Sequence, residues 1–200
     1  MTDFYSDEEE HLITDSLTKG HNSWNEDCLK DIRKKIKEHH MEKQGDKCCY
    51  CRVDIARSAS MTIDVEHILP KHAFLSEMFN MDNLSCSCKE CNLYRKGKRV
   101  DFFVGTDPIM YRSDLYKFIH PNLDIYKNYI NYIFVQNDDL SLWFYNVIDN
   151  NIKGMYTKEF FKLENSSKSS FDEAQGIEPK TKIENPEVRA SFEKLLQASF

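Results

Sequence analysis

The chain has 200 residues, 40% of them hydrophobic and 30% charged, with a formal net charge of −6. Thirteen Phe and ten Tyr exclude a disordered polymer, and the length fits one globular domain with appendages better than two independent cores. No run of about 18 apolar residues is present for a membrane span, and the acidic first ten residues lack the basic and apolar regions of a signal peptide, so a cytoplasmic protein is expected.

Residues 1–22 read as an acidic, polar arm to which no element is assigned. Ser23-Trp24-Asn25-Glu26 has the form of a capping box, in which the Ser hydroxyl and the Glu carboxylate satisfy reciprocal backbone N–H groups, and predicts a helix over 23–45. Trp24, Cys28, Ile32 and Ile36 recur every four residues with Leu29 beside them, giving an apolar stripe that packs Cys28 inside; Gly45 ends the helix. Residues 46–99 carry the chemistry. In the following extension, 100–163, a short helix is expected over Tyr111 to Ile119, before Pro121. The aromatic and β-branched runs 129–135 and 141–147 flank Asn137-Asp138-Asp139 and predict a hairpin. Residues 164–184 read as a polar linker, and Asn185-Pro186 opens a final helix to 200 with Val188, Phe192, Leu195 and Leu196 on one face. The fold class expected is α+β.

Seven cysteines fall at 28, 48, 49, 51, 86, 88 and 91, an odd number gathered around C-x-x-C spacings, which in a reducing compartment favours metal thiolates over disulfides. A structural zinc site takes four ligands in a tetrahedron, commonly from two such turns, and Cys48, Cys51, Cys88 and Cys91 fit it. The 36 residues between the pairs exceed the gap of about 15–20 in simple ribbons, so a substantial insert lies between the knuckles. Cys49 and Cys86 each lie two residues from a proposed ligand and could replace it, and all of these thiols could instead be small buried hydrophobes.

The insert holds Asp64-Val-Glu66-His67-Ile-Leu-Pro70-Lys71 and Asp82-Asn83-Leu84, and is followed by Cys91-Asn92 and Lys96-Gly97. Together these residues resemble the HNH, or ββα-metal, endonucleases over about residues 46–99, with Asn92 at the third motif position. The tryptophan-bearing helix before a C-x-Y-C knuckle, together with residues 154–165, is similar to the HNH subunits of Septu-type anti-phage systems. The resemblance implies a zinc-stapled ββα-metal core with an N-terminal helix and a mixed helix and hairpin extension. It implies hydrolysis of nucleic-acid phosphodiesters to 5′-phosphate and 3′-hydroxyl ends, and an ATPase partner subunit.

Elementary chemistry gives the same residues roles. An imidazole with its ordinary pKa near 6.5 can take a proton from water at neutral pH, which makes His67 the candidate general base. A hard ion such as Mg²⁺ or Mn²⁺ prefers oxygen donors; Glu66 and Asn92 supply them, with Asp64 a second candidate. Glu66 and His67 would oppose each other in a regular strand, so the strand should end or twist there. By analogy with the family Asn83 supports the catalytic loop by bonding backbone. Arg95, Lys96 and Arg99 follow Asn92 at helical spacing as candidate phosphate contacts. His11, His21, His39, His40, His72 and His120 have no comparable context and read as surface or core residues. Lys89 to Arg99 carries a local net of +4, so the rest of the chain sums to −10. Nucleic acid is the expected substrate, DNA ahead of RNA. The competing class is a noncatalytic zinc-knuckle protein that binds nucleic acid or scaffolds an assembly.

Overall fold

Helix α1 spans Asp7–Lys19 in the computed structural model, which describes residues 4–55, 63–106, 110–137 and 140–163. The acidic arm is therefore largely a helix, and its acidity is the reason. Ser6 Oγ accepts from the Glu9 N–H, Glu9 returns a carboxylate to the Ser6 N–H at 2.8 Å, and Asp7, Glu8, Glu9 and Glu10 sit in the first turn against the exposed N–H groups.

The capping box expected at Ser23 is absent. Residues His21–Asn25 and Asp27–Leu29 form 3₁₀ turns, and Ser23 is buried with its hydroxyl 2.6 Å from both Ser16 Oγ and the Gly20 carbonyl. Helix α2 begins at Lys30 and runs to Gln44. The tighter 3₁₀ phase shifts the register, so Leu29 is buried while Cys28, expected inside, is exposed. Gly45 ends α2 at φ 61, ψ 48, with its own N–H on the Glu42 carbonyl and that of Asp46 on Met41, a left-handed stop that suits glycine. Ile13, Trp24, Leu29, Ile32 and Ile36 pack with Met78, Phe79 and Leu84 in one core.

Strand β1, Ile63–His67, pairs antiparallel with β2, Leu84–Cys88, with Ile63 opposite Cys88 and His67 opposite Leu84. A short helical segment, Glu90–Lys96, follows directly, but it is wound as a π-helix: the Gly97 N–H reaches the Asn92 carbonyl, five residues back, at 2.7 Å. Gly97 stops it at φ 51, ψ −128, a conformation glycine alone adopts without strain. Arg99 thus lies beyond the helix rather than two turns along it from Asn92.

A second, aromatic cluster joins Tyr50, Phe102, Phe118, Phe160 and Phe161, with Tyr50 and Phe161 stacked at 4.1 Å. Phe160 closes helix α3, Ile152–Phe160, which is capped by Asn151. The helix expected over 111–119 reduces to one 3₁₀ turn, Ser113–Leu115. Its backbone bonds run sideways instead, from Val104 N to the Leu115 carbonyl and from Lys117 N to the Phe102 carbonyl. These elements belong to one unit, whose described residues are 4–55, 63–106, 110–131 and 147–163.

The described residues of the second unit are 132–137 and 140–146. The expected hairpin is present as β3, Ile130–Asn137, paired with β4, Leu140–Val147, with Tyr132 and Tyr145 ring to ring at 5.0 Å. The linker and final helix expected over 164–200 lie outside the described residues. Among the described residues no helix is long and apolar enough to cross a membrane. The fold is mixed α+β with small two-stranded sheets.

Candidate functional site

The sulfur atoms of Cys48, Cys51, Cys88 and Cys91 lie within 4.8 Å of one another and could hold a zinc ion. Two turns bring them together. The first closes through the Cys48 N–H on the Val53 carbonyl and the Arg52 N–H on the Cys48 carbonyl, with Arg52 left-handed at φ 59; the second joins the end of β2 to the helical segment. Four thiolates at these separations suit a tetrahedral, sulfur-loving ion. Cys49 and Cys86 stand outside the cluster: their backbones pair at 3.0 Å, and Cys86 Sγ points to the Lys37 carbonyl at 3.6 Å. Burial pushes the Cys86 thiol up to about 12, and it raises Cys49 too, so both stay protonated.

His67 ends β1, buried, with its ring edge-on to Trp24 at 4.4 Å. Nε2 lies 3.0 Å from the Met78 carbonyl. A carbonyl only accepts, so Nε2 carries the proton and Nδ1 keeps its lone pair. Burial, with help from the Lys71 and Lys96 charges, pushes His67 down to about 3, so the ring is neutral. Asn83 fixes the loop that follows. Its Oδ1 accepts from Leu69 N at 2.7 Å, its Nδ2 donates to the Leu69 and Glu77 carbonyls, and its own carbonyl accepts from Ile68 N. Every polar atom of that fully buried amide bonds backbone within two residues of His67 or in the facing turn.

Glu66 points elsewhere. Its Oε1 meets Lys96 Nζ at 2.8 Å and accepts from the Tyr50 hydroxyl at 3.1 Å, and both members of the ion pair are 2% exposed. Burial raises the Glu66 carboxyl above its usual range, against the lowering by Lys96 and Tyr50. Removing one partner of a buried pair strands the other charge. Lys96→Met should therefore destabilise the chain by about 3–5 kcal/mol at neutral pH. The sign of its pH dependence is distinctive. A stranded Glu66 has a folded pKa far above its unfolded value, so the variant keeps its stability below the unfolded value and loses it as pH rises through the folded one. Urea unfolding across pH checks this, and Glu66→Gln added to Lys96→Met should recover most of the loss; a loss independent of pH would contradict it.

Asn92 Nδ2 donates to Asp64 Oδ2 at 3.4 Å, which brings the amide from the helical segment onto β1. Arg95 pairs with Glu90 at 2.7 Å, and Arg99 makes a two-pronged pair with Asp101 while lying 3.9 Å from the Phe160 ring. The three expected phosphate contacts thus all meet carboxylates of the chain, and Lys96 is buried. Glu66, His67, Asn92 and Lys96 border one cavity of about 220 Å³, together with Trp24, Lys71 and Leu93.

Over 123 residues the chain is 30% identical to the Septu protein PtuB of Bacillus thuringiensis. The matched stretch is 62% of this chain and 40% of that protein, so the chain spans well under half the length of this curated relative. No protein-family model matches the chain, and no solved structure matches it.

Several residues that build the site escape a reading by pattern. Gln44, the last residue of α2, accepts from Cys86 N and Ser85 Oγ while donating to the Lys47 and Cys86 carbonyls, and so ties helix, first knuckle and β2 together. The Met78 carbonyl is a backbone group with no sequence signal. Trp24 did carry one, as the tryptophan ahead of the knuckle; Arg33 holds its turn by donating to the Trp24 and Glu26 carbonyls at 2.5 and 2.8 Å.

Proposed function

We propose that the chain is a metal-dependent HNH endonuclease that hydrolyses phosphodiester bonds in nucleic acid, the nuclease subunit of a Septu-type anti-phage complex. One observation carries the reading. A neutral imidazole closes a strand at a cavity with its Nε2–H committed to a carbonyl, which leaves Nδ1 as the proton acceptor. The likeness to a Septu protein supports the defence role.

In this reading His67 Nδ1 takes a proton from water as the oxygen attacks phosphorus; the P–O3′ bond breaks, the departing 3′-oxygen takes a proton from solvent, and His67 returns its proton to solvent, leaving a 5′-phosphate and a 3′-hydroxyl. Asn83 holds the backbone after His67, and Trp24 fixes the ring plane. Asp64, joined to Asn92 at 3.4 Å, and the Glu66 Oε2, which neither Lys96 nor Tyr50 engages, are the oxygen donors that would hold Mg²⁺ or Mn²⁺, with the Asn92 amide oxygen. When bound, such an ion neutralises phosphoryl charge and stabilises the departing 3′-oxygen. Arg95 and Arg99, paired at the surface, can exchange a carboxylate for a phosphate at little cost. Zinc at the four cysteines holds the second knuckle, and with it Asn92, against β1.

The competing reading is a noncatalytic zinc-knuckle binding or scaffold protein, favoured by the internal engagement of Glu66 with Lys96. Charge bears on the partner. Outside Lys89 to Arg99 the chain is strongly acidic, whereas affinity for nucleic acid comes largely from Lys and Arg at phosphates. An ATPase subunit supplying basic surface would complete the interface. Plasmid DNA and structured RNA should therefore be cut in Mg²⁺ or Mn²⁺ by the copurified complex, and more slowly by the chain alone at matched salt. No cutting of either substrate by either preparation sinks the nuclease reading, and equal rates with no partner recovered sink the complex.

A further inference from the structure

The cavity at His67 is walled by cations that no carboxylate holds. Lys71 and Lys98 border it with His21 and His72, and neither lysine meets a carboxylate at ion-pair distance among the described residues. Glu66 is the one carboxylate among the lining residues, and Lys96 already neutralises it. The His21 and His72 rings stand 6.5 Å apart at 70°, bringing the turn before α2 against the loop after β1. Trp24, Val65, Pro70 and Leu93 supply apolar wall between the charges. Lys71 is half-buried, and its ammonium is pushed down by that burial first; Glu66 offsets part of the effect from a distance, and Lys96 adds to it. A partly desolvated ammonium without a counterion in contact is unfavourable, and an anion in the cavity reduces the penalty.

We propose that Lys71 and Lys98, flanked by His21 and His72, form a phosphate-binding rim that grips the nucleic-acid backbone beside the bond presented to His67. This deepens the nuclease reading, on which it rests, and it adds to the surface-paired Arg95 and Arg99 two cations that need give up no carboxylate, while Lys96 stays buried on Glu66. Both lysines reach a phosphate as point charges, so the rim reads backbone and not base sequence.

The test is fluorescence anisotropy of a labelled duplex with the full chain, without added Mg²⁺ or Mn²⁺ and without chelator, so that the zinc cluster stays intact while cutting is not supported. It compares the wild type with Lys71→Gln, Lys98→Gln, the double variant and a Lys34→Gln control; Lys34 is an exposed α2 residue paired with Glu38. Each phosphate neutralised by a lysine contributes about 0.9 to the slope of log K against log salt, so each single substitution should flatten the slope by about 0.9 and the double by about 1.8. Affinity at about 50 mM salt should fall several-fold per lysine, with melting unchanged. The Lys71→Arg and Lys98→Arg pair should keep the slope, and Lys34→Gln should change nothing. Wild-type slope and affinity in the double glutamine variant overturn the rim, as does a wild-type chain that fails to bind the duplex at low salt. Cutting is scored separately in Mg²⁺ or Mn²⁺. Reduced binding with no cutting anywhere keeps the rim and removes the nuclease, whereas intact cutting with unchanged binding removes only the rim.

Discussion

Cys88→Ser should cost the chain its metal and a large part of its cooperative stability at once, while Cys86→Ser should cost little of either. The four sulfurs of Cys48, Cys51, Cys88 and Cys91 share one small volume, and three remaining thiolates cannot complete a tetrahedron. Structural zinc contributes about 10–16 kcal/mol of apparent binding free energy in isolated finger peptides, comparable with the whole stability of a domain. The core of Ile13, Trp24, Ile32, Ile36 and Leu84 does not use the knuckles, so the expected outcome is a drop in melting temperature of tens of degrees with residual helix rather than a random chain. Elemental analysis should find about one zinc per wild-type chain and a strongly reduced content in Cys88→Ser. A chelator should reproduce the same melting shift. Cys86 tests the alternative directly: its thiol meets the Lys37 carbonyl and is not one of the four clustered sulfurs, and its loss should leave the metal in place. Unchanged zinc and melting in Cys88→Ser would overturn the four-ligand assignment.

What the sequence discloses and what it hides follow from the range of the interactions. The two C-x-x-C pairs are legible because each ligand pair is local and its spacing is set by one turn; only the joining of 48–51 to 88–91 is long-range, and a shared ion predicts it. Gly45 is legible because a left-handed stop asks for glycine. The helix start at Ser23 misleads because a capping box is a local pattern that a buried partner overrides: Ser16 and Gly20 take the hydroxyl, and the genuine box forms at Ser6 and Glu9, inside a stretch whose acidity looks like a solvated arm. The π-wound turn over Glu90–Lys96 defeats helical spacing altogether. Counting three, four and seven residues from Asn92 assumes a regular α-helix, whereas the wider turn carries Lys96 inward onto Glu66 and leaves Arg99 beyond Gly97, where Asp101 takes it. His21 and His72 gain their context only from the closing of two loops around one cavity, which no local pattern records.

Nucleic-acid cleavage by the His67→Gln chain should fall by about 10²–10⁴-fold with the fold retained, because a glutamine amide can still donate to the Met78 carbonyl but cannot take a proton from water. His67→Ala should lose as much activity, but it also opens a hole beside Trp24 and should melt lower; comparing the two separates the base from the packing. The pH profile gives a second signature. Protonated His67 cannot act as base, so activity falls only as pH drops through its folded value. Burial and the Lys71 and Lys96 charges hold that value well below the ordinary 6.5, at about 3, in the unliganded protein. The acid limb of kcat/KM, which reports the free enzyme, should therefore lie below 6.5. A phosphate bound beside Lys71 offsets those same cations, so the acid limb of kcat, which reports the complex, should lie higher than that of kcat/KM. A general base held by solvent exposure alone would give limbs near the ordinary value in both. Full activity in His67→Gln, with zinc content and melting unchanged, would remove His67 from the chemistry and leave the cavity as a binding site only.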